Sequence, residues 1–201
     1  MIRILLIRHG ETELTGRVLY GRMPGVHLSA EGCRQAQALS QALKKRYQVH
    51  EIISSPLERA LETAQYLADA LKLPISTNEG IVELDYGNWM GLTFTEIRES
   101  EEWQHYNRLR SISSPPEGEL MVQVQARAWT ALERILSRYA DYEEAMVAVV
   151  SHGDVIRALL ILLLGMPLDH IHRFEVSLAS LSEVVFDGKY ARVMRINQIF
   201  H

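Results

Sequence analysis

The chain has 201 residues, of which 47% are hydrophobic and 23% charged, a composition typical of one globular domain with a substantial core. Its formal net charge of −4 comes from 21 basic and 25 acidic residues that are spread along the chain, so we expect neither nucleic acid nor a membrane as a partner. Cys33 is the single cysteine, which excludes an intrachain disulfide and favours a reducing compartment. We therefore expect a cytoplasmic protein.

The first half of the chain predicts alternating strands and helices. Residues 2–7 are a nearly continuous aliphatic run, typical of a strand that is covered on both faces. A polar loop from Gly10 to Ser29 leads to a helix that starts at Ala30 and ends near Arg46, with Ser29 as its N-cap. Residues 51–54 predict a second strand, and the helix after it, over residues 57–71, is expected to carry Pro56 in its first turn.

The second half repeats the alternation. Residues 123–139 predict an amphipathic helix, residues 145–150 a buried strand and residues 155–164 a helix about half as long as a membrane span. Residues 174–176, 181–186 and 191–196 predict strands, the last two joined by a turn at residues 187–190. The fold class is therefore α/β, a single three-layer domain over residues 1–201 with a mostly parallel central sheet and helices on both faces. Within it, residues 93–118 are expected to form a flap over the site.

Two of the predicted strands end in a histidine followed by a glycine. Arg8, His9 and Gly10 follow the first strand, and His152 and Gly153 follow the late one. Because open α/β sheets bind ligands beyond the carboxyl ends of their strands, these residues mark a candidate site. A guanidinium matches phosphate oxygens and an imidazole can attack phosphorus, although a lone histidine after a strand is more often structural.

Arg59 and Glu83 are candidates for the same edge of the sheet. Arg59 lies in the first turn of the second helix, near the positive end of the helix dipole, and an ordinary surface pair with a neighbouring glutamate is the alternative. Glu83 is the first candidate for a proton carrier and Asp85 the second. We predict no metal site, since the histidines and carboxylates lack a compact ligand spacing.

Four separated segments together resemble the histidine phosphatase superfamily, also called the phosphoglycerate mutase-like family. The segments are Arg8–Thr12, Ser54–Ala64, Glu83–Gly91 and Ser151–Gly153. The resemblance implies the phosphoglycerate mutase-like fold and a ping-pong reaction, without metal or other cofactor, in which His9 becomes a phosphohistidine. It also implies that Arg8, Arg59 and His152 hold the phosphate while Glu83 moves the proton. The attacking nitrogen of His9 must be unprotonated, and the carbonyl of Gly10 is the candidate acceptor for the other ring nitrogen.

The residues expected to bind substrate are Arg8, Thr15, Gly21, Arg59, His152 and Gly153. Thr15 stands in the region where many family members carry Trp-Asn to touch substrate, and Gly21 resembles a substrate-contacting loop glycine. The missing Trp-Asn and the moderate length disfavour a mutase. We therefore expect metal-independent hydrolysis of a small phosphomonoester, with a small phosphorylated metabolite as partner.

Three alternatives stay open at this point. One is a cofactor-dependent phosphoglycerate mutase, a second is a phosphoprotein phosphatase with an open groove, and a third is a non-catalytic module that binds a phosphorylated ligand. The physiological substrate and the choice between monomer and homodimer are also open. Arg17, Arg22 and Arg108 are candidates for binding a second negative group, although surface charge is the favoured interpretation of each.

Overall fold

A computed structural model describes residues 1–188 and 190–200, with a six-stranded sheet at the centre. The strands are β1 (Ile2–Arg8), β2 (Glu51–Ser54), β3 (Ile75–Thr77), β4 (Ala145–Ser151), β5 (Leu181–Phe186) and β6 (Ala191–Gln198). The α-helices are α1 (Ala30–Arg46), α2 (Glu58–Leu71), α3 (Phe94–Ile97), α4 (Glu101–Arg108), α5 (Met121–Arg138) and α6 (Gly153–Leu164). Short 3₁₀ helices cover Glu79–Ile81, Gly87–Trp89 and Leu168–His170.

The strand order in the sheet is β3-β2-β4-β1-β5-β6. The first four strands in this order run parallel to one another, whereas β5 is antiparallel to β1 and β6 is antiparallel to β5. The prediction of a mostly parallel sheet in an α/β domain is confirmed. Since β1 and β4 are adjacent and parallel at the centre, the residues that follow them emerge side by side at one edge.

Helices cover both faces of the sheet. On one face, Leu5 and Ile7 of β1 belong to a buried cluster with residues of α1 and α2. On the other face, Ile4 and Leu6 belong to a cluster with residues of α5 and α6. This alternation follows from the two-residue period of a strand, and it explains why residues 2–7 are apolar almost without interruption. The predicted three-layer arrangement is confirmed.

The starts of the helices agree with the predictions in one case and differ in others. The hydroxyl of Ser29 accepts a hydrogen bond from the backbone N–H of Gly32 at 3.0 Å, so the predicted N-cap of α1 is confirmed. Pro56 was expected in the first turn of α2, but that helix begins at Glu58 and Pro56 precedes its N-cap. Helices α5 and α6 each begin two residues before their predicted starts. In α6, His152 is the N-cap, so Gly153 opens the helix.

The strand predicted at residues 174–176 is wrong. These residues lie outside every strand of the sheet, and the carbonyl of Val176 accepts a hydrogen bond from the guanidinium of Arg8 at 2.7 Å. The side chain of Val176 is buried against the core, so the apolar pattern arises from packing and not from strand pairing. The turn predicted at residues 187–190 contains Lys189, which lies outside the described residues.

The segment over residues 93–118 holds the two short helices α3 and α4. Tyr106 of α4 is buried against Trp89, with ring centroids 5.3 Å apart, and Arg110 after α4 is buried as well. The segment therefore packs on the body of the domain through an aromatic contact and a buried arginine. Among the helices of the described residues, none has the length and apolar character needed to span a membrane.

Candidate active site

The two histidine-bearing strand ends lie next to each other. In the register of the parallel pair, Arg8 at the end of β1 is opposite Ser151 at the end of β4, and the backbone N–H of His9 donates to the carbonyl of Ser151 at 3.0 Å. The imidazole rings of His9 and His152 are 5.2 Å apart between centroids. The backbone pairing thus brings together two side chains that are 143 positions apart in the sequence.

The hydrogen bonds of His9 define which of its ring nitrogens carries the proton. Its Nδ1 lies 2.8 Å from the carbonyl oxygen of Gly10, which can only accept, so Nδ1 is the protonated nitrogen. Its Nε2 accepts from the Nε–H of Arg59 at 3.3 Å. Burial, together with the charges of Arg59 and Arg8, holds the pKa of His9 well below its usual range. His9 is therefore neutral, with the Nε2 lone pair directed at a cation.

Arg59 is held inside the domain and is not a surface arginine. Its side chain is fully buried in the first turn of α2, and its Nη2 donates to the carbonyl of Gly21 at 2.6 Å. Its guanidinium carbon lies 4.8 Å from the ring centroid of Tyr20, an arrangement that stabilises a cation over a π face. The neighbouring Glu58 instead accepts from the backbone of Gly25, so the alternative of an ordinary surface pair is wrong.

His152 is fixed through the opposite ring nitrogen. Its Nε2 lies 2.7 Å from the hydroxyl oxygen of Ser55. Its buried Nδ1 has no hydrogen-bond partner among residues 1–188 and 190–200. Burial is the main cause that holds the pKa of His152 well below its usual range, followed by the charge of Arg59. His152 is thus a neutral, buried imidazole with one ring nitrogen left to interact with a ligand.

Arg8 and Gly153 are in direct proximity at the start of α6. A methyl group added at Gly153 would lie 3.3 Å from both Nε and Cζ of Arg8, so the guanidinium would have to shift by a few tenths of an ångström to accommodate a side chain there. The Nε of Arg8 is buried without a hydrogen-bond partner in the described part of the chain. An unpartnered N–H of a buried cation costs free energy unless a ligand accepts from it. Arg8 is therefore available to bind an anion.

Glu83 lies at the same edge with an altered proton affinity. Its carboxylate is partly buried, and one oxygen accepts from the backbone N–H of Leu84 at 2.9 Å. Burial and the nearby charge of Asp154 raise the pKa of Glu83 to about 7, against the lowering effects of Arg59 and Arg8. Glu83 can therefore both give and take a proton near neutral pH.

A cavity of about 250 Å³ opens beside these residues. Six of the predicted site residues line it, namely Arg8, His9, Thr15, Gly21, Glu83 and Gly153. Arg59 and His152 lie behind this lining, where they contact His9. The other candidate acid, Asp85, is outside the lining, and its carboxylate accepts from the backbone N–H of Gly87 at 2.9 Å. Gly21 has a φ of 41° and its carbonyl binds Arg59, a combination that favours glycine.

The sequence did not reveal a second group of charged side chains in the lining of this cavity, namely Asp154, Arg110 and Arg157. Asp154 is buried there and accepts from the hydroxyl of Tyr86 at 2.6 Å and from Nη1 of Arg110 at 2.9 Å. Burial acts to raise the pKa of Asp154, but Arg110 and Arg157 hold it below its usual range. Asp154 follows Gly153 directly in the last matching segment, and its position one residue beyond the motif was the only available signal.

None of the three arginines considered for a second negative group, Arg17, Arg22 and Arg108, lines the cavity. Arg22 donates to the carbonyl of Glu83 at 2.7 Å and to the carboxylate of Glu119 at 2.7 Å, so it supports the backbone of the Glu83 segment. Arg108 is exposed at the end of α4. Within residues 1–188 and 190–200, no group of three or more His, Cys, Asp or Glu side chains is arranged to hold a metal ion.

The comparisons with known proteins agree with this geometry. The model of the histidine phosphatase superfamily (branch 1) matches residues 4–199, so the chain belongs to this superfamily. Phosphoserine phosphatase 1 of Hydrogenobacter thermophilus is 29% identical over 203 residues, which cover 100% of this chain and 94% of that protein. A solved structure of the mycobacterial glucosyl-3-phosphoglycerate phosphatase Rv2419c superposes with a TM-score of 0.85 at 28% identity, covering 97% of this chain and 98% of that one.

A further relative is longer than this chain. The bifunctional protein Rv2228c of Mycobacterium tuberculosis is 37% identical over 195 residues, which are 96% of this chain and 53% of that protein. This chain therefore spans about half the length of that relative. Phosphoserine phosphatase 1 and the glucosyl-3-phosphoglycerate phosphatase Rv2419c, which are similar in length to this chain, are both named phosphatases.

Proposed function

We propose that this chain hydrolyses phosphomonoesters of small metabolites through a phosphohistidine on His9. The observation that carries the proposal is the state of His9, whose Nδ1–H is bound to the carbonyl of Gly10 while the Nε2 lone pair is directed at Arg59. A buried, neutral imidazole with one fixed N–H and one unprotonated nitrogen is the form that can attack phosphorus. The phosphatase names of the relatives support the same reaction class.

In the first step, Nε2 of His9 attacks phosphorus and the bond from phosphorus to the ester oxygen breaks. The phosphoryl group takes the direction that the Nε–H of Arg59 occupies at 3.3 Å from Nε2, so Arg59 moves its hydrogen bond from the imidazole to a phosphoryl oxygen. Arg8 and the Nδ1–H of His152 donate to the other oxygens. Because phosphoryl transfer is accelerated chiefly by positioning and charge stabilisation, these donors supply most of the rate.

Glu83 carries the proton in both steps. As an acid it protonates the departing alkoxide, which leaves as the alcohol, and as a carboxylate it then takes a proton from the attacking water. Water displaces the phosphoryl group from His9, so inorganic phosphate leaves and the free imidazole is restored. A pKa of about 7 for Glu83 makes both directions of transfer accessible near neutral pH. No step in this scheme calls for a metal ion.

The experiment measures phosphate release from sugar phosphates, phosphoglycerates, phosphoamino acids and nucleotides by the wild type and by His9→Ala, each with and without a chelator. We expect turnover that survives the chelator and falls by at least about 10⁴-fold in the variant. Turnover that the chelator abolishes would contradict a metal-independent reaction. Equal turnover by the two proteins would contradict His9 as the nucleophile.

Two controls keep the result interpretable. His9→Asn retains a polar side chain of similar size, and its melting temperature beside that of the wild type separates loss of chemistry from loss of folding. Transfer of phosphate between positions of a phosphoglycerate, primed by a bisphosphate, would instead support a mutase.

A cytoplasmic location is also part of the proposal. It is supported by the single cysteine, Cys33, which forms no disulfide among the described residues.

A further inference from the structure

We infer that Arg157 forms a second anion-binding subsite beside the phosphate site, so that the substrate carries another negatively charged group close to its phosphoryl group. This inference rests on the proposed function, because it names the class of phosphomonoester that the same cavity takes. The expected second group is a carboxylate or a second phosphate, since both present the oxygens that a guanidinium binds.

The position of Arg157 follows from its place in α6. Arg157 comes four residues after Gly153, so the two share one face of the helix, and long helical side chains lean towards the N-terminus of their helix. Nη1 of Arg157 accordingly lies 3.3 Å from where a methyl group on Gly153 would be, and the guanidinium of Arg8 is 3.3 Å from the same point. Arg157 and Arg8 thus approach each other across a residue that has no side chain, and both line the cavity.

The proximity of two guanidiniums is electrostatically unfavourable. Burial is the main cause that lowers the pKa of Arg8, and the positive charge of Arg157 contributes to the same lowering. The Nε atoms of Arg8 and Arg157 are both buried and have no hydrogen-bond partner among the described residues. An anion that accepts from these groups relieves both the repulsion and the missing hydrogen bonds. The start of α6 adds the positive end of a twelve-residue helix to the same region.

Arg110 and Arg157, the two arginines next to Asp154 in the cavity lining, differ in how firmly they are paired. Arg110 is buried and donates to Asp154 at 2.9 Å, so its charge is compensated inside the protein. Arg157 lies 3.4 Å from the other oxygen of Asp154 and 3.6 Å from Glu175, whose side chain is 76% exposed. Long ion pairs and pairs with exposed carboxylates contribute little stability. Arg157 is therefore the arginine that can exchange its present contacts for a ligand.

Binding by Arg157 selects a compact substrate. Because Arg157 and Arg8 face each other across the single residue Gly153, the second anion must lie only a few bonds from the phosphoryl group. Phosphoglycolate has this arrangement, and ethyl phosphate is the matched ester in which a methyl group replaces the carboxylate. The bisphosphate of ethane-1,2-diol is the corresponding probe for a second phosphate.

The experiment compares kcat/KM for phosphoglycolate, ethyl phosphate and the bisphosphate in the wild type, Arg157→Gln and Arg173→Gln. Arg173 is an exposed arginine of the neighbouring segment and is not part of the cavity lining, so its substitution is the matched control. We expect the wild type to prefer phosphoglycolate or the bisphosphate over ethyl phosphate, and Arg157→Gln to reduce that preference on the order of ten- to a hundredfold. Arg173→Gln is expected to keep the wild-type preference.

Binding to His9→Ala separates this inference from the proposed function. Calorimetry with the same probes is made on His9→Ala and on the double variant with Arg157→Gln. If the wild type hydrolyses no probe, but phosphoglycolate or the bisphosphate binds His9→Ala more tightly than ethyl phosphate does and loses this advantage in the double variant, the subsite stands and the proposed hydrolysis fails. If hydrolysis proceeds while the preference is absent, or is unchanged in Arg157→Gln, the subsite is overturned and the proposed function stands.

Discussion

The ends of β1 and β4 place the same dipeptide, histidine followed by glycine, at neighbouring positions of one sheet, yet the two histidines have opposite hydrogen bonding. His9 is held through Nδ1 by the carbonyl of Gly10, and its Nε2 is turned to Arg59. His152 is held through Nε2 by the hydroxyl of Ser55, and its Nδ1 has no partner among the described residues. The carbonyl of Gly10 can only accept, so His9 presents an unprotonated Nε2; the hydroxyl of Ser55 can donate to Nε2 of His152, and in the proposed reaction it does so, which leaves Nδ1–H of His152 as a donor.

In the proposed function this difference distinguishes the nucleophile from the donor, although both histidines follow a strand, precede a glycine and are buried. Both rings are buried and both have pKa values well below the usual range, with burial as the largest cause. The fold therefore supplies two similar positions, and we propose that the different hydrogen-bond partners of the two rings give them different functions.

After the loss of His9 itself, the largest expected effect is the loss of the proton carrier Glu83, because burial keeps both histidines neutral. We expect Glu83→Gln to reduce kcat by about 10²- to 10⁴-fold for alkyl phosphates, because a general acid contributes that much to expulsion of a poor leaving group. The loss should be smaller for p-nitrophenyl phosphate, whose leaving group needs no proton. Equal losses on both esters in steady-state assays would argue against Glu83 as the acid. Asp85→Asn, at the carboxylate outside the cavity lining, is the matched control.

The next effect tests His152 as a donor. We expect His152→Ala to reduce kcat by about 10²- to 10³-fold, the range found when one donor to a transition-state anion is removed. Stopped-flow measurement of the two half-reactions should show both slowed, while His9 still accepts the phosphoryl group. A variant that loses the phosphoenzyme altogether, with an unchanged melting temperature, would contradict the donor role.

A smaller effect is expected from Ser55→Ala, which removes the hydroxyl that fixes Nε2 of His152. We expect kcat to fall about tenfold and stability by about 1 kcal/mol, the usual contribution of one neutral hydrogen bond. Ser54→Ala is the matched control, because Ser54 is buried beside Ser55 and its hydroxyl donates to the carbonyl of Ser55. If both variants lose activity equally, the bond between Ser55 and His152 has no special part in catalysis.

The smallest effect is on the pH dependence of stability. Below about pH 6.5, His9 and His152 become protonated in the unfolded chain but stay neutral in the native state. The free energy of unfolding therefore falls as the pH decreases. Glu83 acts oppositely, because its pKa of about 7 exceeds the unfolded value of 4.5 and the native state binds the extra proton between these values. Urea unfolding at pH 5.5 and 6.5 should therefore show a steeper acid loss in Glu83→Gln, by about 1 kcal/mol per pH unit. An unchanged slope would contradict the raised pKa.

Local signals were sufficient to predict most of the fold. The uninterrupted aliphatic run of β1 and the Ser29 cap of α1 depend on short stretches of sequence, and both are confirmed. Residues 174–176 were predicted wrongly because apolar side chains pack equally well in a strand and in a buried irregular segment. Only the tertiary contact between Arg8 and the carbonyl of Val176 distinguishes the two.

The site was predictable only where its residues belong to motifs. The sheet brings four motif segments to one edge, and these segments supply Arg8, His9, Arg59, Glu83 and His152. The sequence analysis missed three charged residues of the cavity lining, Asp154, Arg110 and Arg157, because no motif includes them and only the folded structure brings them together. Their charges depend on burial and on one another, which no spacing along the chain records. The bond between His152 and Ser55 is likewise set by the pairing of β2 with β4.

The most direct test of the different roles of the two histidines is to trap the phosphoenzyme. The wild type, His9→Ala and His152→Ala are each mixed with p-nitrophenyl phosphate and quenched in alkali, under which phosphohistidine survives, and the phosphorylated residue is mapped by mass spectrometry. We predict phosphate on His9 in the wild type and in His152→Ala, and none in His9→Ala. Phosphate on His152, or turnover with a phosphoenzyme that persists in His9→Ala, would contradict the account.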